Sequence, residues 1–226
     1  LLLKGKGIIS NLQTEILRAL SQLSDAEHFY LTGGTALAEF YFGHRKSFDL
    51  DFFTVEKNLV LPFGRFVEGA LRREYTLAVV RRFETFAEFE VGLAGESTRL
   101  QIAYDSPARF EEPVESVIGV QVNDYRDIIT DKLLAFYGRA EPRDAVDLFF
   151  ILQREDLWKL AELAGRKDPG FDLYWLAAAM HKTTEYPDEL ERWPVEMILP
   201  VNVAQLKSTF DDLSLRLMDK IKKPRS

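Results

Sequence analysis

The chain has 226 residues, 46% hydrophobic and 29% charged, an ordinary composition for a soluble globular protein with room for one large domain or two small ones. It has no cysteine, which excludes disulfides, thiolate metal sites and cysteine nucleophiles and fits a reducing cytoplasm. Its formal net charge of -7 makes it a poor non-specific binder of nucleic acid, so such a substrate would need a local basic patch. The candidates are Arg72-Arg73, Arg81-Arg82 and the tail from Lys220 to Arg225, and each pair alone reads first as solvated charge. No apolar run is long enough to span a bilayer. The opening LLLKGKG has neither a signal-peptide shape nor an initiator methionine, so residues upstream are expected to be missing.

Residues 11–23 read as an amphipathic helix, with Leu12, Ile16, Leu17, Leu20 and Leu23 at helical spacing. HFYLTGG is a short strand ending in glycines, TALAEFYF opens a helix, and FDLDFF is a strand. Residues 62–73 are helical, and three strands follow, TLAVVRRFE, FAEFEVGLA and TRLQIAYD, each bounded by Gly, Ser or Pro. Beyond about residue 123 the pattern is helical: YRDIITDKLLAFYGR, RDAVDLFFILQ, EDLWKLAELAG, FDLYWLAAAMHK and VAQLKSTFDDLSLRLMDKI are five helices. The fold class is therefore α+β, a mixed half followed by a helical half. The join lies in the polar connector between Pro107 and Asp124, giving domains of 1–118 and 119–226.

The chemistry concentrates in GGTALAEFYFGHRKSFDLDFF, Gly33 to Phe53. Residues two apart in a strand share a face, so Asp49 and Asp51 project together while Leu50 and Phe52 turn to the core. Two neighbouring carboxylates repel and resist burial, and a hard divalent cation such as Mg²⁺ is their natural partner. Gly33 and Gly34 let the backbone approach a ligand closely. Thr35 then stands at a helix N-terminus, where N–H groups and the dipole attract phosphate. The plain alternative is a tight turn, a capped helix and two solvated aspartates on an edge strand.

Farther on, Ile128, Lys132 and Phe136 lie four apart on one helical stripe, an odd place for a lysine unless its ammonium snorkels to water. Arg143 stands four residues before Asp147 and within pairing range. A Lys132–Asp147 or Arg139–Asp144 pair could simply tie two helices together. Arg45 and Lys46 are further cations beside the acids. His28, His44 and His181 are too scattered to form a metal set, and His44 reads as loop packing.

The order glycine pair, threonine, helix, Asp-Leu-Asp resembles the nucleotidyltransferase superfamily typified by DNA polymerase beta. The signature His44, Arg45, Ser47, Asp49, Leu50, Asp51, followed by DKLLAFYGRAEPRDAVDLFFIL, is similar to the AbiEii/AbiGii nucleotidyltransferase toxins of type IV toxin–antitoxin systems. The likeness covers about residues 28–152 and implies a mixed-sheet nucleotidyltransferase core followed by a helical domain. It implies that Gly33, Gly34, Thr35, Arg45 and Ser47 hold the nucleotide and that Asp49 and Asp51 ligate Mg²⁺ or Mn²⁺. Lys132 would contact the triphosphate, and Asp144 or Asp147 would assist. The superfamily adds a third carboxylate on a later strand, here TRLQIAYD, where its position falls near Gln101. Alternation puts Gln101, Ala103 and Asp105 on one face, so either Asp105 completes the metal set or the third acid is missing.

The activity so implied is transfer of a nucleoside monophosphate from an NTP to an acceptor hydroxyl. The acceptor would be tRNA or another RNA, and a separate protein the antitoxin; no membrane role is expected. A transferase for a small-molecule or protein hydroxyl and a non-catalytic nucleotide or metal binder are the rival readings.

Overall fold

The computed structural model describes residues 2–222; Lys223 and Arg225 of the basic tail lie outside the described residues. The chain divides into two compact units, Leu1–Ile128 and Ile129–Ser226. The 118/119 division expected from composition falls between two short strands of the first unit.

The first unit is a seven-stranded mixed sheet in the order β3-β4-β5-β2-β1-β7-β6. Its strands are β1 (Tyr30–Thr32), β2 (Asp49–Thr54), β3 (Thr76–Phe83), β4 (Phe86–Leu93), β5 (Glu96–Tyr104), β6 (Val114–Glu115) and β7 (Gln121–Val122). All five strands of the sequence pattern form. The polar connector, however, supplies β6 and β7, and β7 pairs parallel with β1. Strands of two residues leave too short an alternation to be read from sequence. Strands β3, β4 and β5 form a meander. Its second turn places Ala94 at φ 52° and Gly95 at φ 90° between the paired Leu93 and Glu96, the two left-handed residues a two-residue hairpin loop requires.

Three helices belong to this unit: α1 (Asn11–Ser21), α2 (Gly33–Ala36), which continues as a π-helical stretch (Leu37–Phe42), and α3 (Val60–Leu71). A capping box between Ser10 and Gln13 starts α1, and its predicted stripe Leu12, Ile16, Leu17 and Leu20 is buried. Gly64 lets α3 lie close to β4, where an added Cβ would sit 3.4 Å from that of Ala87. The core fills one face of the sheet: Leu31, Leu50, Phe52, Phe89, Leu100 and Ile102 are buried there. Phe63 of α3 stacks on Phe29 at 4.0 Å and on Phe52 at 6.0 Å between ring centroids. Glu68 of α3 accepts from Arg82 of β3 and from Arg72, and these bonds hold its carboxyl below the usual glutamate range.

The second unit is helical. Its helices are α4 (Tyr125–Arg139), within which the division falls, then α5 (Pro142–Leu152), α6 (Leu157–Lys167), α7 (Leu173–Lys182) and α8 (Val203–Lys222). All five predicted helices form, and three of them carry a clear start signal. Pro142 begins α5, Asp156 caps α6 by accepting from Trp158 and Lys159, and Asp172 caps α7 through Tyr174. Leu133, Phe136, Leu148, Leu160, Leu176, Met180 and Phe210 are buried. Among the described residues no helix is long and apolar enough to cross a membrane.

One carboxylate ties the amino-terminal segment to the sheet unit. Glu39 is buried and accepts the backbone N–H of Gly7 at 3.0 Å, Ile8 at 2.6 Å and Ile9 at 3.1 Å. Truncation leaves those donors without their acceptor, so Glu39→Ala should cost about 3 kcal/mol in urea unfolding, on the scale of charge-assisted bonds lost from a buried group. Glu39→Gln, which keeps one acceptor oxygen, should lose less.

Candidate active site

The site begins where β1 ends. Gly33 has φ 71°, the left-handed region that turns the chain out of β1 into α2. A Cβ there would overlap the Asp51 carboxylate, and one at Gly34 would lie 2.7 Å from Arg45 Nη2 and 2.9 Å from Ser47 Oγ. Both glycines therefore stand where the backbone passes directly against site side chains. Thr35 is buried, and its hydroxyl donates to the backbone carbonyl of Asp49. It clips the start of α2 to β2, so its hydroxyl is engaged inside the protein rather than held out for a phosphate.

On β2 the expected alternation is realised: Leu50, Phe52 and Thr54 are buried, while Asp49, Asp51 and Phe53 are half-buried on the other face. Strand register sets their neighbours. Asp51 pairs with Thr32 of β1 on one side and with Gln101 of the parallel β5 on the other, and Asp49 stands beside Arg99. Arg99 Nε lies 3.4 Å from Asp49 Oδ1, a cation offsetting the paired acids that the sequence pattern did not reveal. Arg45 is buried against Gly34 and donates from Nη1 to the Lys46 carbonyl at 2.9 Å. His44 is fully buried, its ring 5.8 Å from that of Phe42.

Asp105 is not brought to this pair. It follows β5 four residues beyond Gln101, roughly 13 Å along the strand at ~3.3 Å per residue. Its carboxylate accepts from the Tyr30 hydroxyl at 2.5 Å and from Ser106 N–H at 2.8 Å. Of the two readings left open for Asp105, the structure does not bring it to Asp49 and Asp51: alternation gives the face, but not the distance along it. Among the described residues no group of three or more His, Asp or Glu side chains is placed to hold a metal ion. Asp49 and Asp51 are the carboxylate pair available on β2.

Neighbouring groups escaped the sequence reading. Arg109 packs 4.2 Å over the Tyr30 ring and donates to Asn123 Oδ1, while Asn123 Nδ2 donates to Thr32 Oγ1 at 3.0 Å. The Asn123 carbonyl accepts from Tyr41, whose hydroxyl is pushed well above its ordinary pKa by burial and then by Asp124. Beside Asp49 opens a cavity of about 380 Å³, lined by Phe48, Val80, Glu88, Glu90 and Arg99 among others. Glu88 and Glu90 alternate with core residues in FAEFEVGLA, so their shared face was readable; their place in the cavity beside Asp49 depended on register.

The second unit holds the remaining predicted residues. Lys132 does not snorkel; it is buried with its Nζ 2.7 Å from Asp147 Oδ2, linking α4 to α5. Arg139 reaches the fully buried Asp144 through two bonds of 2.5 and 2.7 Å. Arg143 pairs with Glu141 at 3.0 Å.

Comparison with known proteins agrees with this core. The sequence model of the family described as "Nucleotidyl transferase AbiEii toxin, Type IV TA system" matches residues 15–214. An uncharacterized protein of Aquifex aeolicus is 30% identical over 151 residues, covering 67% of this chain and 70% of that protein. Among solved structures, MenT4, a nucleotidyltransferase toxin from Mycobacterium tuberculosis, superposes with a TM-score of 0.61 at 19% identity, over 92% of this chain and 82% of that one. JHP933 from Helicobacter pylori gives 0.59 at 20% identity, over 93% and 90%. The fold and the family model thus define a nucleotidyltransferase core. The chain belongs to the AbiEii nucleotidyltransferase toxin family and is an enzyme of that class.

Two substitutions test the local arguments. Gly33→Ala meets both an unfavourable φ and the Asp51 carboxylate, whereas Gly95→Ala, at φ 90° with open space around it, meets only the first. Gly95→Ala should cost about 1 kcal/mol in chemical unfolding, and Gly33→Ala clearly more. In the second unit, Lys132→Met removes the ammonium from the buried Asp147 and should cost about 3 kcal/mol or more. The double variant Lys132→Met, Asp147→Leu should recover much of that loss by the same measurement.

Proposed function

We propose that this enzyme transfers a nucleoside monophosphate from an NTP to an acceptor hydroxyl, releasing pyrophosphate, with Mg²⁺ or Mn²⁺ as cofactor. The observation carrying this reading is the common face of Asp49 and Asp51, with the Gly33–Gly34 backbone packed against Asp51 and Arg45. Two carboxylates on one strand face suit a hard cation that keeps further positions for substrate oxygens. Asp49 and Asp51 would hold it, and when bound it would neutralise phosphate charge and activate the attacking oxygen. The chain's own part is positioning. The glycine turn brings the backbone directly against the Asp51 carboxylate, and Arg45 adds fixed positive charge beside Gly34. Thr35 anchors that turn to the strand bearing the acids.

The family's place in type IV toxin–antitoxin systems supports an RNA acceptor, with a tRNA end the leading candidate, a cytoplasmic site of action and a separate antitoxin protein. One observation favours a small hydroxyl-bearing acceptor instead: the cavity beside Asp49 sets Asp49, Glu88 and Glu90 against Arg99, an acidic lining that suits a neutral or cationic molecule better than a phosphate chain. Incubation with each α-labelled NTP, Mg²⁺ and total RNA decides between them. Label in RNA supports the first acceptor, and label confined to small products the second.

Metal linkage gives an independent check. Mg²⁺ or Mn²⁺ should raise the melting temperature, more so with an NTP present, because a ligand that binds only the folded state stabilises it. The Asp49→Asn, Asp51→Asn double variant should fold but lose that shift. An equal shift in the variant would place the cation elsewhere.

A further inference from the structure

At the level of Asp51 the sheet carries one continuous row of side chains. Thr32 of β1, Asp51 of β2, Gln101 of β5, Glu88 of β4 and Arg81 of β3 stand in register, each beside the next. Glu88 is only 5% exposed. It accepts from Arg81 Nη2 at 2.6 Å and from Gln101 Nε2 at 3.1 Å. A carboxylate paired with an arginine only accepts hydrogen bonds, so the Gln101 amide must offer it the NH₂ group. That settles which way the amide faces. Its Oε1 is the arm not engaged by Glu88, and β5 lies between β4 and β2.

We propose that Gln101 supplies the third oxygen of the acidic site, a neutral amide oxygen held beside Asp51 by Glu88 and Arg81 and facing the cation that Asp49 and Asp51 hold. This rests on the metal-dependent reading above. The other carboxylates do not fit the position. Glu88 stands two strands from Asp51, roughly 10 Å at ~4.8 Å per strand, with its oxygens committed to Arg81 and Gln101. Asp105 lies four residues farther along β5 and is held by Tyr30. An amide oxygen is an accepted ligand for hard cations. It brings no negative charge and takes no proton, so Gln101 positions the cation and the attacking hydroxyl without serving as a base. Glu88 and Arg81 act through it, as the outer partners that fix a ligand's orientation.

The test is Mn²⁺ titration of the full chain, followed by calorimetry, with urea unfolding of each variant. Gln101→Leu should weaken Mn²⁺ binding about tenfold, the scale of losing an orienting contact at a metal site. The exchange variant Glu88→Gln, Gln101→Glu moves the carboxylate next to Asp51 and retains the bond between the two residues. It should bind Mn²⁺ more tightly than the unmodified chain and unfold at a higher urea concentration than Gln101→Glu alone, where two carboxylates would face each other. The exchange variant still decides the matter if Gln101→Leu fails to fold. Unchanged Mn²⁺ affinity in the exchange variant, with binding abolished by Asp49→Asn, Asp51→Asn, would remove Gln101 from the site. Binding that survives the double aspartate substitution would overturn the cation reading itself, and this inference with it.

Discussion

The site depends on one constraint: two like charges projecting from the same face of a central strand. Asp49 and Asp51 are tolerable only if β2 stays in register, because a one-residue slip would drive both into the core and expose Leu50 and Phe52. The opposite face enforces that register. Phe52 stacks with Phe63 of α3 and Phe29, and Leu50 and Ile102 are fully buried beside it. The hydrophobic core of the first unit is thus what aims the carboxylates. The Thr35 hydroxyl on the Asp49 carbonyl extends the same control to the glycine turn, so turn and strand are held as one piece.

Much of this was legible because its signals are short-range. Alternation in FDLDFF gave the shared face of the aspartates; the glycine pair was read as backbone close to a ligand, and its crowding against Asp51 was not legible. The five carboxy-terminal helices were readable from apolar period and from caps such as Asp156 and Asp172. What alternation could not give was the offset between strands. Asp105 shares a face with Gln101, yet the pairing of Gln101 with Asp51 leaves Asp105 four residues away and in the hands of Tyr30. Arg99 beside Asp49 and Glu88 beside Gln101 were hidden for the same reason, since cross-strand neighbours follow from register and not from sequence spacing.

In the second unit, spacing found the residues but could not choose their roles. A lysine on an apolar stripe can be a snorkelling side chain, a ligand contact or a buried partner, and spacing does not separate them. Lys132 and Asp147 meet at 2.7 Å with both side chains buried, and Arg139 meets Asp144 one turn away on α5. Both acids are fully buried, so these pairs cost desolvation, and each ties α4 to α5. A carboxylate so engaged is also a poor place to look for free acid–base chemistry.

The row across the sheet gives Gln101 a bond that a carboxylate in its place could not make. Glu88 is buried, and its neighbour on β5 stands at hydrogen-bond distance. A carboxylate at 101 would face Glu88 on one side and Asp51 on the other, three negative groups abreast with Arg81 at one end as counter-charge. Glutamine relieves this geometrically. It donates to Glu88 and brings no further negative charge beside Asp51.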